Sequence, residues 1–316
     1  MLPQPGPVEE PTPDIVVVGA ASRDLASDDA RGWRLGGAAT YAALATARLG
    51  VRTGALVGLD ADATGARELG ALREAGVALV EVRLPGGPVF DNVEGPAGRR
   101  QVAHAVGPAV PTDALPDSWR AAGAWFLGPV AGELEDAWAA VPSDASIVAL
   151  GWQGLLRDVR AGEVVRRVRP ARSALLARAD IVGVSRDDLD PDTTLADLCA
   201  LLRPGATLIV TAGADGGVVA EAGSDGPRAL YRYPALASDR VVDPTGAGDV
   251  FLAAVLAARA RPQLVGGRLG QRFDLRLAAA VASLVVEAPG LDGVPTREAV
   301  RRRMADAAGR VRPASP

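Results

Sequence analysis

No lysine occurs anywhere in the 316 residues, so every basic side chain is an arginine, and His104 is the only histidine. The first absence removes the lysine of a Walker-type phosphate loop and any Schiff-base mechanism. The second makes a Ser-His-Asp triad or a histidine metal centre depend on His104. That residue sits in an alternating polar and apolar stretch and reads as an ordinary strand position. A lone cysteine, Cys199, closes no internal disulfide, excludes a cysteine-based zinc cluster and fits a reducing compartment. No apolar run reaches the roughly 20 residues that cross a bilayer; residues 277–286 amount to about half of that. The opening residues are rich in proline and acid and carry no basic, apolar leader, so a cytoplasmic location without membrane contact is expected. A formal net charge of −4 gives no general reason to expect nucleic acid. The arginine clusters at Arg166, Arg167, Arg169 and Arg172 and at Arg301, Arg302 and Arg303 read as solvated helix faces. Carboxylates, arginines, hydroxyls and backbone amides remain for chemistry.

What is present is a chain that is 48% apolar and long enough for one large core. Residues 1–13 and 309–316 read as tails and 14–308 as the folded domain. Strand patterns fall at 15–19, 54–58, 77–83, 124–127, 146–150, 180–184 and 207–211, with helical spacing at 37–49 and 64–75. This alternation predicts an α/β protein: a largely parallel sheet between two helical layers, with ligands beyond the carboxyl ends of the strands. Residues 80–106 break the rhythm. They are strand-like, with turn signals at Pro85-Gly86-Gly87 and Gly95-Pro96-Ala97-Gly98, and with 30–35 predict a small β lid apart from the main sheet.

The strongest local signal is Asp243-Pro244-Thr245-Gly246-Ala247-Gly248-Asp249-Val250-Phe251, followed by a helical pattern. Glycines opening a helix let phosphate oxygens approach its unpaired amides and the positive end of its dipole. Gly246, Ala247 and Gly248 thus form a candidate anion hole that works without lysine. Asp249, in the first turn, is placed to take a proton from an attacking hydroxyl.

Asp-x-Thr-Gly-Ala-Gly-Asp-x-Phe closely resembles the carboxyl-terminal signature of the ribokinase (PfkB) family, and the likeness extends over most of residues 14–305. It implies a three-layer, Rossmann-like kinase with a lid, using ATP and Mg²⁺ to phosphorylate a hydroxyl of a small sugar, polyol or nucleoside. Gly36-Gly37 looks like the family's double-glycine motif, and Asp24 matches the acid that meets substrate hydroxyls. The resemblance also implies substrate-side roles for Tyr41, Phe90, Asn92 and Arg157. Asp60 and Gly65 stand at a Gly-x-Asp element. Thr211, Gly213 and Gly216 look like the nucleotide-side Thr-x-Gly-x-x-Gly turn, with Thr245, Ala279 and Ser283 on the same side. Asp188 in Ser185-Arg186-Asp187-Asp188 replaces a glutamate that organises Mg²⁺ through water, and Asp243 with Thr245 corresponds to positions that hold a monovalent cation such as K⁺ in several relatives. Tyr41 stands for a substrate-contacting Asn, and Gly151-Trp152-Gln153-Gly154 for an Asp-x-Asn stretch. With Leu127-Gly128-Pro129-Val130 these departures look like a subgroup that includes inositol-kinase-like proteins. Two alternatives stay open: a kinase of already phosphorylated sugars, using Arg99 and Arg100, and a binding sensor without catalysis. The chain is expected as a monomer or a homodimer through the lid.

Overall fold

In the computed structural model of the chain the described residues are 12–95, 98–266 and 273–310. Of the expected tails, residues 1–11 and 311–316 lie outside the described residues.

The chain first lays down β1 (Ile15–Ala20), whose Ile-Val-Val-Val run is buried on both faces as a central parallel strand requires. It leaves this layer for β2 (Ser22–Leu25) and β3 (Trp33–Gly36), and α1 (Ala38–Arg48) returns it. Next come β4 (Thr53–Leu59), α2 (Arg67–Glu74), β5 (Ala78–Arg83) and the hairpin β6 (Val89–Gly95) and β7 (Gly98–Ala105). β8 (Ala124–Leu127) and β9 (Ile147–Gly151) lead to three short strands, β10 (Arg157–Asp158), β11 (Glu163–Val164) and β12 (Arg166–Arg167). Then follow α3 (Ala174–Arg178), β13 (Ile181–Ser185), α4 (Leu195–Cys199), β14 (Thr207–Thr211), β15 (Gly217–Gly223) and β16 (Gly226–Tyr233). Helices α5 (Ala247–Ala260), α6 (Phe273–Val285) and α7 (Arg297–Arg310) complete the chain, the last running past the expected domain end at 308.

Nine strands form one sheet in the order β16-β15-β14-β13-β9-β8-β1-β4-β5. The strands expected from the sequence are its parallel members, β5 through β14. The antiparallel edge hairpin of β15 and β16 was not anticipated, although Gly223-Ser224-Asp225-Gly226 is a turn signal. Helices cover both faces unequally. α1, α2, α5 and α6 pack against one face. The other is closed by the five-residue α3 and α4 and by single helical turns, with Trp119, Trp125, Trp138 and Trp152 filling the volume that longer helices would occupy.

A second sheet, in the order β11-β7-β6-β2-β3, stands apart. Its boundaries correct the sequence expectation. β5 pairs residue for residue with β4, from Gly54 with Ala78 to Leu59 with Arg83, and so belongs to the main sheet. The lid hairpin therefore starts at Val89 and not at residue 80, and β2 and β11 join it. A second correction concerns Arg166 and Arg167, which lie on β12 paired with β10 and not on a helix. Gly162, at φ 81°, and Pro170 interrupt any helix there.

Candidate active site

Gly246 caps α5 from the left-handed region, φ 78°, where a side chain is strained. A β-carbon there would come within 2.3 Å of the Tyr41 ring. Tyr41 on α1 thus seats the glycine loop from below. No side chain caps the α5 amino terminus; the Ala247 amide donates to the Pro244 carbonyl at 3.3 Å, which leaves the amides of Gly248 and Asp249 as the candidate donors. The carboxylate of Asp243 fastens the loop, accepting from the amides of Thr245 and Gly290, each at 2.9 Å.

Asp249 follows in the first turn of α5, and β9 ends against it: a β-carbon on Gly151 would stand 3.9 Å from Asp249 Oδ1. Burial pushes the Asp249 carboxyl up to about 7. The Arg157 cation opposes that rise, and the Asp188 and Asp24 charges add to it. Asp188 itself is gripped: Gln153 Nε2 donates to its two oxygens at 3.1 and 3.0 Å, and Arg157 Nη2 reaches it at 3.5 Å. Asp24, Arg157, Asp188 and Asp249, from four separate segments, therefore share one electrostatic neighbourhood at the carboxyl ends of the parallel strands. A carboxyl poised near neutrality beside a cation and a helix amino terminus is equipped for proton abstraction next to an anionic group.

On the lid side, Asp24 accepts from Ser22 Oγ at 3.2 Å and lies against Gly36, where a β-carbon would meet Asp24 Oδ2 at 2.2 Å. Gly37, at φ 102°, opens α1, and Thr40 Oγ1 ties back to the carbonyls of Gly36 and Gly37. Asn92 is engaged across the hairpin by Gln101 at 2.9 Å. Arg100 is exposed, and the Arg99 side chain lies outside the described residues. Asp60 caps the turn at Ala63 and pairs with Arg23 at 2.8 Å. On the other side, Thr211 Oγ1 donates to the Val184 carbonyl at 3.4 Å, and Gly213 and Gly216 take φ of 52° and 80°.

Four expected contacts are corrected by burial. Tyr41 and Phe90 are each 1% exposed and lie in the core cluster. Ala279 and Ser283 on α6 are each 6% exposed. Ser283 Oγ is used inside the protein, donating to Ala280 and accepting from Arg303 at 3.0 Å. Large apolar and helix-interior residues are drawn into the nearest core whatever motif they stand in.

Residues 159–297 match the family model described as pfkB family carbohydrate kinase, and this segment holds Asp188, the Thr211 turn and Gly246 to Asp249. Over this segment the chain resembles the pfkB family. No curated protein matches it. Among solved structures, a pyrophosphate-dependent kinase in the ribokinase family, complexed with a pyrophosphate analogue and myo-inositol, aligns at TM-score 0.70 and 20% identity over 91% of this chain and 99% of its own. Arabidopsis thaliana ribokinase, complexed with ribose and ATP, aligns at 0.65 and 20% over 93% and 99%. The Methanocaldococcus jannaschii nucleoside kinase aligns at 0.64 and 17% over 94% and 100%. At these identities the likeness is one of fold, and the fold is that of ribokinase-like kinases.

Two residues were given no role of their own by the sequence. Glu133 is 3% exposed and its carboxylate accepts from the amides of Ala20, Val130 and Ala131 at 2.8–3.0 Å, fixing the end of β1 to the loop after β8. Burial raises its pKa against those amide bonds. Gln153 grips Asp188. Glu133 lies in no motif and Gln153 stood only within the altered Gly151-Trp152-Gln153-Gly154 stretch, so their partners are what reveal them.

Proposed function

We propose that this chain is a pfkB-family kinase that transfers the terminal phosphoryl group of Mg·ATP to a hydroxyl of a small sugar, polyol, cyclitol or nucleoside. Asp249 takes the hydroxyl proton as the oxygen–phosphorus bond forms. The bond to the departing diphosphate breaks, and ADP leaves. One observation carries the reading: a carboxyl held at about 7 in the first turn of a helix whose amides are left uncapped by any side chain. Arg157, within electrostatic reach of both Asp188 and Asp249, would offset charge on the phosphoryl group in flight.

Among the described residues no group of three or more His, Cys, Asp and Glu side chains converges on a metal position. Asp188 is a hard oxygen ligand whose carboxylate keeps acceptor capacity beyond its bonds from Gln153 and Arg157. It would hold Mg²⁺ together with water and donor oxygens. When bound, the ion supplies neutralisation of the donor phosphates.

Pyrophosphate is the second donor reading. Beyond the fold shared with a kinase crystallised with a pyrophosphate analogue, the side expected to border a base is bridged from within. Arg303 donates to Ser283 Oγ, Glu287 Oε1 and the Ala237 carbonyl at 3.0, 2.7 and 2.9 Å.

The test is turnover with ATP and, separately, pyrophosphate across myo-inositol, ribose, fructose, fructose 6-phosphate, 2-keto-3-deoxygluconate and adenosine. Asp249→Asn is run beside the wild type. One acceptor is expected to turn over, and the variant to lose about 10²–10⁴-fold in kcat. Equal rates for variant and wild type would remove Asp249 from the chemistry. No turnover with any pair would remove the kinase assignment for these acceptors.

A further inference from the structure

Asp243 fastens the glycine loop, so a negative charge sits beside the place proposed for donor phosphates. The resemblance drawn from the sequence implies a monovalent cation at this position in several relatives. Here both Asp243 oxygens are already engaged by backbone amides. The flank of Gly290, whose amide one of those oxygens holds, is filled by protein. A β-carbon on Gly290 would meet Arg34 Cδ at 3.3 Å and the Tyr41 hydroxyl at 3.9 Å.

Arg34 belongs to the lid strand β3 and its side chain is only 18% exposed. Its Nη2 pairs outward with Asp28 at 2.6 Å. Its Nε is buried and has no hydrogen-bond partner among the described residues. A guanidinium taken that far from water without a full set of acceptors is costly unless its charge is used. Asp28 chiefly, and then Asp29 and Asp243, raise its pKa, so Asp243 lies within its field. We propose that Arg34 is a built-in replacement for the monovalent cation: its fixed charge compensates Asp243, positions the glycine loop, and makes this kinase independent of K⁺. The same contact ties the lid strand β3 to the turn at Gly290, whose amide Asp243 holds.

The rate arm rests on the kinase reading, and the melting arm does not. Wild-type protein in about 0.1 M KCl and in the same concentration of choline chloride is expected to melt within about 1 °C and to turn over within about twofold. Arg34→Met is expected to lose at least tenfold in kcat with a smaller change in KM. K⁺ or millimolar guanidinium is then expected to restore much of that loss and to raise the variant's Tm by about 2 °C. Arg34→Lys should keep most of the rate. A several-fold K⁺ stimulation of the wild type, or a K⁺-dependent rise in its Tm, would overturn the proposal. So would an Arg34→Met protein that matches the wild type in both salts. If Arg34→Met does not fold, the wild-type comparison and Arg34→Lys decide. If no acceptor turns over, the function reading fails while the melting arm still judges the cation.

Discussion

A carboxyl held near neutrality carries a stability cost that can be measured. Asp249 rises from an ordinary 3.8 to about 7, so the folded state keeps a proton that the unfolded chain sheds between those values. This contribution to stability is greatest below about pH 4 and is lost as pH rises through 7. Asp249→Asn, which keeps the shape and removes the charge, is therefore expected to be more stable than the wild type at pH 8. The gain should be about 1–3 kcal/mol, discounted for the partial exposure of Asp249, and should shrink toward zero near pH 4 in urea titrations. Wild-type kcat/KM should move the opposite way, rising with pH to a plateau above about 7. A variant no more stable at pH 8 would mean that Asp249 titrates like a surface acid. Asp249 was legible because its glycine motif is contiguous. Glu133 was not, because the Ala20 amide it holds is 113 positions away.

At the scale of the element, the start of α5 separates two uses of glycine. Gly246 needs φ 78° and has the Tyr41 ring against it, whereas a β-carbon on Gly248 would meet nothing within 4 Å. Gly246→Ala is expected to lose about 1–3 kcal/mol of stability along with activity. Gly248→Ala should leave Tm unchanged or slightly raised, since alanine is the better helix former. Its new methyl group would still stand where phosphate oxygens approach, and kcat should fall at least tenfold. Thermal melts and kcat on the two variants check this. Equal stability losses would mean that Gly248 is packed and faces no ligand. The sequence pattern marks both glycines alike; Tyr41, from another helix, distinguishes them.

For the whole molecule, the question is how the lid sheet is held to the α/β body. Arg31 grips Glu68 of α2 at 2.6 and 2.9 Å, its guanidinium lies 4.5 Å from the Trp33 ring centroid, and Arg23 pairs with Asp60. Glu68 is buried, which works to raise its pKa, yet the Arg31 bonds hold it below the usual carboxylate range. Glu68→Ala should speed amide exchange in β2, β3, β6 and β7 by at least tenfold, while β1 and α5 keep their protection. Uniform acceleration would show that lid and body unfold as one unit. The parallel strands and the amino terminus of α5 were determined by the sequence alone, because apolar runs and a glycine-rich helix start act over a few neighbouring residues. Only the tertiary structure decided that Tyr41, Phe90, Ala279 and Ser283 turn inward, that Gln153 and Arg157 share Asp188, that β5 leaves the lid, and that Arg34 comes to Gly290. Burial and charge pairing arise between segments far apart in the chain, and no local pattern encodes which of them will meet.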